Sequence, residues 1–146
     1  TADFTGVTRA GGIDDFIGDI DILSIHCPRT KESFGMIGRA QFAKMKSTAF
    51  IVNCARGGII DENALVAALN EKQIAGAALD VFETHPIAPH SPLLSLDNVV
   101  LTPHLGGATE ETIQRHSQMM TDDIQRFLAG KRPENLVNVE AWEPRG

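Results

Sequence analysis

The chain has 146 residues, 42% of them hydrophobic and 22% charged, which are ordinary proportions for one globular domain with one core. Its net charge of −6 argues against a nucleic-acid partner, and no apolar run approaches the roughly 20 residues of a membrane span. Cys27 and Cys54 each follow a predicted strand and are expected to be reduced, as is usual in the cytoplasm. The five histidines lack metal-ligand spacing, so no metal site is predicted.

The first half of the chain alternates helical and extended patterns. Apolar residues at helical spacing predict a short helix over Ile13–Ile17, and an apolar run predicts a strand over Asp21–His26. After a loop opened by Pro28, a second helix is predicted over Arg39–Met45 and a second strand over Ala49–Asn53. The second strand is short and β-branched at its centre, which is typical of a buried strand in a parallel sheet.

The second half continues this alternation. Asp61 is predicted to cap a third helix whose apolar face contains Leu65, Val66 and Leu69. A third strand is predicted over Ala77–Val81 and a fourth over Asn98–Leu101. The segment between them, Thr84–Ser95, contains three prolines and is predicted to be an irregular loop.

A long C-terminal helix is predicted to begin at Thr109, with acidic residues in its first turn, and to end at Gly130. Its apolar face consists of Ile113, Met120, Ile124, Phe127 and Leu128. Strands that alternate with helices favour right-handed βαβ units and a parallel sheet. The sequence therefore predicts an α/β fold with about four parallel strands flanked by helices, followed by the long helix.

Arg56 directly follows the second predicted strand and precedes Gly57 and Gly58. Ligands of open α/β sheets bind at the carboxyl ends of the strands. A guanidinium there can bind a carboxylate or phosphate in bidentate fashion. Position alone leaves open whether Arg56 binds an anion or is a surface arginine before a turn.

Four blocks of sequence resemble motifs of the D-isomer-specific 2-hydroxyacid dehydrogenases, in the order and near the spacing of that family. They are Ser24–Pro28, Asn53–Gly58 followed by Asp61–Leu65, Ala77–Glu83 and Leu101–Gly107. The resemblance covers nearly the whole chain and extends to phosphoglycerate dehydrogenases and glyoxylate or hydroxypyruvate reductases. It implies a Rossmann-like NAD-binding domain and hydride transfer between a nicotinamide and a small 2-hydroxy or 2-oxo acid. Independently of the resemblance, a parallel sheet without its first βαβ units has a bare edge strand and exposed apolar surface, which predicts a homo-oligomer.

The resemblance also implies catalytic roles. Arg56 would bind the carboxylate of the acid, and His104 would protonate the carbonyl oxygen as hydride arrives. From position alone, His104 could equally be a structural histidine at the edge of a pocket. The family has a catalytic Glu immediately before the proline of this loop, where this chain has His85. An imidazole cannot supply the negative charge of that Glu, so the role of His85 is in doubt, and Glu83 is expected to point elsewhere.

The cofactor contacts follow from the same resemblance. Cys27 and Pro28 would line the adenosine side, Cys54 and Ala55 would pass beneath the nicotinamide ribose, and Asp80 would contact the carboxamide. Asp80 could alternatively cap the next turn. The full set of residues expected to contact NAD is Cys27, Pro28, Cys54, Ala55, Arg56, Asp80, His104 and Gly106.

Two parts of a complete dehydrogenase are missing from these residues. No G-x-G-x-x-G turn is present, since Gly11-Gly12 has the wrong spacing, and there is no substrate domain. Residues 1–146 are therefore expected to form a single, incomplete NAD-binding domain that binds NAD weakly and is inactive alone. The alternatives are a non-catalytic interaction or assembly module with the same half-fold, and a folding fragment with no independent role.

Overall fold

The computed structural model describes residues 5–142. The chain divides into two compact units, of which the first ends at His104 and the second begins at Leu105. The single domain predicted over residues 1–146 includes terminal residues outside the described range, and its extent stays a prediction.

The first unit contains a four-stranded sheet, which confirms the predicted number of strands and their parallel direction. The strands are β1 (Ile22–Ile25), β2 (Phe50–Asn53), β3 (Gly76–Leu79) and β4 (Val99–Leu101), and they are hydrogen-bonded in that order. The register aligns the last residue of each strand with the last residue of the next. The four connecting segments that follow the strands consequently leave the sheet at one edge.

Helix α2 (Glu62–Asn70) begins where the sequence predicts, because the Asp61 Oδ1 accepts a hydrogen bond from the backbone N–H of Ala64 at 3.0 Å. Helix α1 (Arg39–Phe42) is shorter than predicted. Its last turn tightens: the N–H groups of Lys44 and Met45 donate to carbonyls three residues back, at 3.0 and 3.2 Å. The predicted α-helical pattern therefore ends in a 3₁₀ turn.

Two further segments differ from the sequence prediction. The first predicted helix is a 3₁₀ helix confined to Ile13–Asp15. The proline-rich segment is not wholly irregular, because it contains a 3₁₀ helix over Pro92–Ser95. Ser91 caps that helix by accepting a hydrogen bond from the N–H of Leu93, and Pro92 occupies the first helical position, where a missing N–H has no cost.

One face of the sheet forms the core. Alternate strand residues, among them Ile25, Ile51 and Leu79, are buried in one cluster with Phe42 of α1 and Leu65 of α2. The intervening residues point to the opposite face. There Ile22, Phe50 and Val100 remain 63%, 49% and 65% exposed.

The second unit contains helix α3 (Glu110–Leu128), with the bounds that the sequence predicts. The Thr109 hydroxyl accepts a hydrogen bond from the N–H of Thr112 at 3.2 Å, and Gly130 has a φ of 70° just beyond the last turn. Several apolar side chains of α3 are exposed, namely Ile113, Met120, Ile124 and Leu128. No helix within residues 5–142 has both the length and the apolar character that crossing a bilayer requires.

Candidate functional site

The segments that follow the four strands carry nearly all of the predicted site residues. Because the strand ends are aligned, these segments emerge side by side at the carboxyl edge of the sheet. The residues concerned are Cys27 and Pro28 after β1, Cys54 to Arg56 after β2, Asp80 and His85 after β3, and His104 after β4. Gly106 belongs to the second unit, so its predicted contact with the cofactor stays a prediction.

The buried side chain of Asn53 holds the segment that presents Arg56. The Asn53 Oδ1 accepts a hydrogen bond from the N–H of Ala55, and its Nδ2 donates to the carbonyl oxygen of Arg56, each at 3.0 Å. Asn53 is only 2% exposed, so both bonds lie away from water. The Arg56 side chain is exposed, and its Nη1 donates to the carbonyl of Ala55 at 2.6 Å. A fixed backbone thus carries a guanidinium that faces solvent.

An open cleft of about 650 Å³ lies between the segments that follow β1 and β2. Both cysteines are free thiols; Cys27 is half-buried at the cleft, whereas Cys54 is exposed and is not part of its lining. The cleft is lined by His26, Cys27, Pro28, Arg29, Ala55 and Arg56.

Gly57 permits the segment after β2 to approach the segment after β3. A Cβ at this position would lie 1.7 Å from the carbonyl oxygen of Phe82 and 2.9 Å from the backbone nitrogen of Glu83. Only glycine allows two backbones to come this close. The contact fixes the path of the chain that leads from Phe82 to His85.

His85 and His104 face each other across the ends of β3 and β4. Their ring centroids are 5.2 Å apart with an interplanar angle of 35°. The N–H of Phe82 donates to His85 Nε2 at 3.3 Å, so this nitrogen acts as an acceptor. His104 has a φ of 61°, and strained backbone of this kind in a non-glycine residue clusters at functional sites.

Asp80 is buried, and it accepts a short hydrogen bond from the Thr102 hydroxyl. This bond connects the carboxyl ends of β3 and β4 immediately before His104. The predicted contact of Asp80 with a nicotinamide carboxamide stays a prediction.

Glu83 contacts the first turn of α2. The N–H of Glu62 donates to Glu83 Oε1 at 3.2 Å, and the N–H of Glu83 donates in return to Glu62 Oε1. Burial raises the pKa of the Glu62 carboxyl, and the charge of Glu83 raises it further, whereas the hydrogen bond from Glu83 and the nearby His85 oppose the shift. Glu62 thereby lies close enough to His85 to interact with it electrostatically.

Four residues of this edge were not identified as site residues from the sequence: Arg29, Asn53, Glu62 and Thr102. Asn53 had a detectable signal, since a polar side chain that ends an apolar strand needs a buried partner. Arg29, Glu62 and Thr102 carry no comparable signal, because their importance depends on segments that are distant in sequence.

Comparisons with known proteins agree with this geometry. A family model described as "D-isomer specific 2-hydroxyacid dehydrogenase, NAD binding domain" matches residues 1–106. A glyoxylate reductase of Korarchaeum cryptofilum is 45% identical over 133 residues, covering 91% of this chain and 40% of the relative. A D-3-phosphoglycerate dehydrogenase of Archaeoglobus fulgidus is 44% identical over 131 residues, covering 90% of this chain and 25% of the relative.

Among solved structures, the NADPH-dependent glyoxylate/hydroxypyruvate reductase of Sinorhizobium meliloti, in complex with NADP and malonate, superposes with a TM-score of 0.87 at 28% identity. The match covers all of this chain and 46% of that one. The chain thus spans between a quarter and two-fifths of the length of these curated relatives.

Proposed function

Because this chain belongs to the D-isomer specific 2-hydroxyacid dehydrogenase family, in its NAD-binding domain, we propose that it carries the nicotinamide side and the acid-binding side of such an enzyme's active site. The observation that supports this most is the presentation of Arg56 and His104 at the same edge of one parallel sheet. Ligands of open α/β sheets bind at this edge.

The residues present fit a nicotinamide cofactor. The cleft after β1 and β2 is open and combines two arginines with the smaller Cys27, Pro28 and Ala55, so an extended anionic ligand can lie along it. When bound, the nicotinamide supplies or accepts the hydride. Arg56 holds the carboxylate of the acid by charge-assisted hydrogen bonds, worth about 1.5–3 kcal/mol each. His104 donates a proton to the carbonyl oxygen in reduction and accepts the hydroxyl proton in oxidation.

His85 has a specific part in this proposal. The bond from the Phe82 N–H to Nε2 ties the His85 ring to the end of β3, beside the ring of His104. An imidazole supplies no negative charge, so His85, whose ring is tilted against that of His104, does not act on His104 as a carboxylate would. We therefore propose that His85 orients the His104 ring by contact and does not supply the negative charge that a carboxylate would.

We propose that residues 1–146 alone bind NAD weakly and transfer no hydride. The diphosphate of a dinucleotide normally lies on a glycine-rich turn at a helix N-terminus, and these residues contain no G-x-G-x-x-G turn. Calorimetric titration of the chain with NAD should yield a dissociation constant in the millimolar range or no measurable heat. A micromolar constant would contradict the proposal.

The cytoplasmic location of the protein stays a prediction.

A second candidate function is assembly, for which exposed apolar surface is the specific observation. Ile22, Phe50 and Val100 are exposed together on one face of the sheet. Apolar surface of this kind marks an interaction site or an aggregation liability. We therefore propose a homo-oligomer. Light scattering of the chain at high concentration should detect a dimer or larger species, and Phe50→Ser should shift the equilibrium toward monomer. A clean monomer for the unmodified chain would contradict this.

A further inference from the structure

We propose that the cleft after β1 and β2 is a two-arginine site for a phosphoryl anion, in which Arg29 acts together with Arg56. The inference rests on the proposed function only in the use of Arg56 as an anion contact. The role of Arg29 goes beyond the proposed function, because a carboxylate bound by Arg56 does not require a second guanidinium.

The charge of the cleft supports an anionic ligand. The chain as a whole has a net charge of −6, yet the six residues that line the cleft include two arginines and no acid. None of the salt bridges found within residues 5–142 involves Arg29 or Arg56. Two guanidiniums that share a cleft without a carboxylate partner repel each other, and a doubly charged anion relieves that repulsion.

The acid nearest to Arg29 in sequence is engaged elsewhere. Glu32 follows Arg29 on the same segment, and a hydrogen bond from the Thr30 side chain is the main cause that lowers the pKa of its carboxyl. The negative charge of Glu32 is thus held by Thr30 and is not paired with Arg29.

Side-chain hydrogen bonds of Ser33 hold the segment that carries Arg29. The buried Ser33 hydroxyl donates to the carbonyl of Pro28 at 2.8 Å and accepts from the N–H of Thr30 at 2.7 Å. The Arg29 guanidinium lies over the ring of Phe34, with Cζ 6.0 Å from the ring centroid. Arg29 therefore projects from a turn held by hydrogen bonds, and its guanidinium packs against an aromatic ring.

The two arginine-bearing segments are also connected to each other. The N–H of Gly35 donates to the carbonyl of Gly58 at 2.8 Å, and the N–H of Ile37 donates to the carbonyl of Ile59 at 3.1 Å. A Cβ built on Gly58 would lie 3.5 Å from Arg29 Nη1, so Arg29 reaches the segment that follows Arg56. This shared framework keeps both guanidiniums at one cleft and suits a bidentate or bridging anion.

The ligand chemistry is a phosphoryl group with two negative charges. It can come from two sources, which are the diphosphate of a dinucleotide and a phosphate on the 2-hydroxy acid itself. In the second case Arg56 would bind the carboxylate of the acid and Arg29 its phosphate, so Arg29 would decide between phosphorylated and unphosphorylated acids.

The test uses the 146-residue chain and three probes: inorganic pyrophosphate, D-3-phosphoglycerate and glycolate. The arginine Nε–H signals are followed by ¹H–¹⁵N NMR at low ionic strength, with Arg29→Gln, Arg29→Lys and the charge-matched control Arg115→Gln, which lies on α3. We expect pyrophosphate or D-3-phosphoglycerate to shift the Arg29 and Arg56 signals together, and the probe that does so identifies the source. Arg29→Gln should weaken the affinity for that probe about tenfold, and Arg29→Lys should weaken it by less, because lysine keeps the charge without the bidentate geometry.

Glycolate separates this inference from the proposed function, because it carries a carboxylate but no phosphate. We expect glycolate to shift the Arg56 signal alone and to bind Arg29→Gln as well as the unmodified chain. If Arg56 responds to glycolate while Arg29 responds to neither phosphoryl probe, the two-arginine site is wrong and the carboxylate role of Arg56 stands. An equal loss of affinity in Arg115→Gln would also overturn the inference, because it would mean that the anions respond only to net charge.

Discussion

Gly57→Ala should separate the segments that form the active-site edge. The added Cβ would lie 1.7 Å from the Phe82 carbonyl oxygen, whereas ordinary contact begins at 3.4 Å. The two backbones must therefore move apart by about 1.7 Å, the difference between those distances. The carbonyl oxygen belongs to the backbone and the backbone also fixes the position of the Cβ, so no side-chain rotation relieves the overlap. Overpacking of this kind costs about 1–3 kcal/mol.

The displacement should also strain the two hydrogen bonds exchanged by Glu62 and Glu83, each worth about 0.5–1.5 kcal/mol. We expect Gly57→Ala to lower the free energy of unfolding by about 2–6 kcal/mol in urea titrations, as the sum of the overpacking cost and the two strained hydrogen bonds. Gly12→Ala is the matched control, because Gly12 has extended backbone and nothing within 4 Å of a built Cβ. A loss below about 1 kcal/mol, or a loss equal to that of the control, would refute the close approach at Gly57.

Three further changes test other parts of the site. Asn53→Ala should lower the free energy of unfolding in urea by about 1–3 kcal/mol, because two backbone groups lose their buried partner. The control Asn70→Ala removes an exposed side-chain hydrogen bond and should lower it far less, and equal losses would contradict this prediction. Glu62 has a folded-state pKa above its ordinary 4.5, so its contribution to stability is complete below that value and is lost as the pH rises through the raised pKa. The stability of Glu62→Gln relative to the unmodified chain should therefore increase as the pH is raised from below 4.5 through that transition, and a constant difference would contradict the burial of Glu62. His85→Glu replaces the ring packed beside His104, so the imidazole NMR signals of His104 should shift relative to those of the unmodified chain; unchanged signals would separate this position from His104.

The sheet and its functional edge could be predicted from the sequence because both depend on local patterns. Short apolar runs alternate with helical patterns, and in a parallel sheet every run ends at the same edge. Arg56 and His104 follow their strands closely in the sequence, so both are predicted to lie at that edge. The length of α1 could not be predicted, because its last turn is decided by 3₁₀ hydrogen bonds that compete closely with α-helical ones.

The internal construction of the site depends on contacts between segments that are far apart in sequence. The approach of Gly57 to Phe82, the bond from Thr102 to Asp80 and the exchange between Glu62 and Glu83 each connect residues more than 20 positions apart. No local pattern encodes such contacts. The resemblance to a family supplied the expectation that position 85 lies near His104, and the 5.2 Å between their rings is a tertiary distance that no local pattern specifies.

We propose that the carboxyl edge of this sheet receives both the nicotinamide and the acid. The most direct measurement is a backbone ¹H–¹⁵N NMR titration of the chain with NADH and glyoxylate together, at concentrations high enough for millimolar binding. We expect the largest shifts to cluster in residues 26–29, 54–57, 80–85 and 102–104. Shifts confined to the opposite edge, around Ala49 and Ile74, or shifts spread evenly over the chain would contradict it.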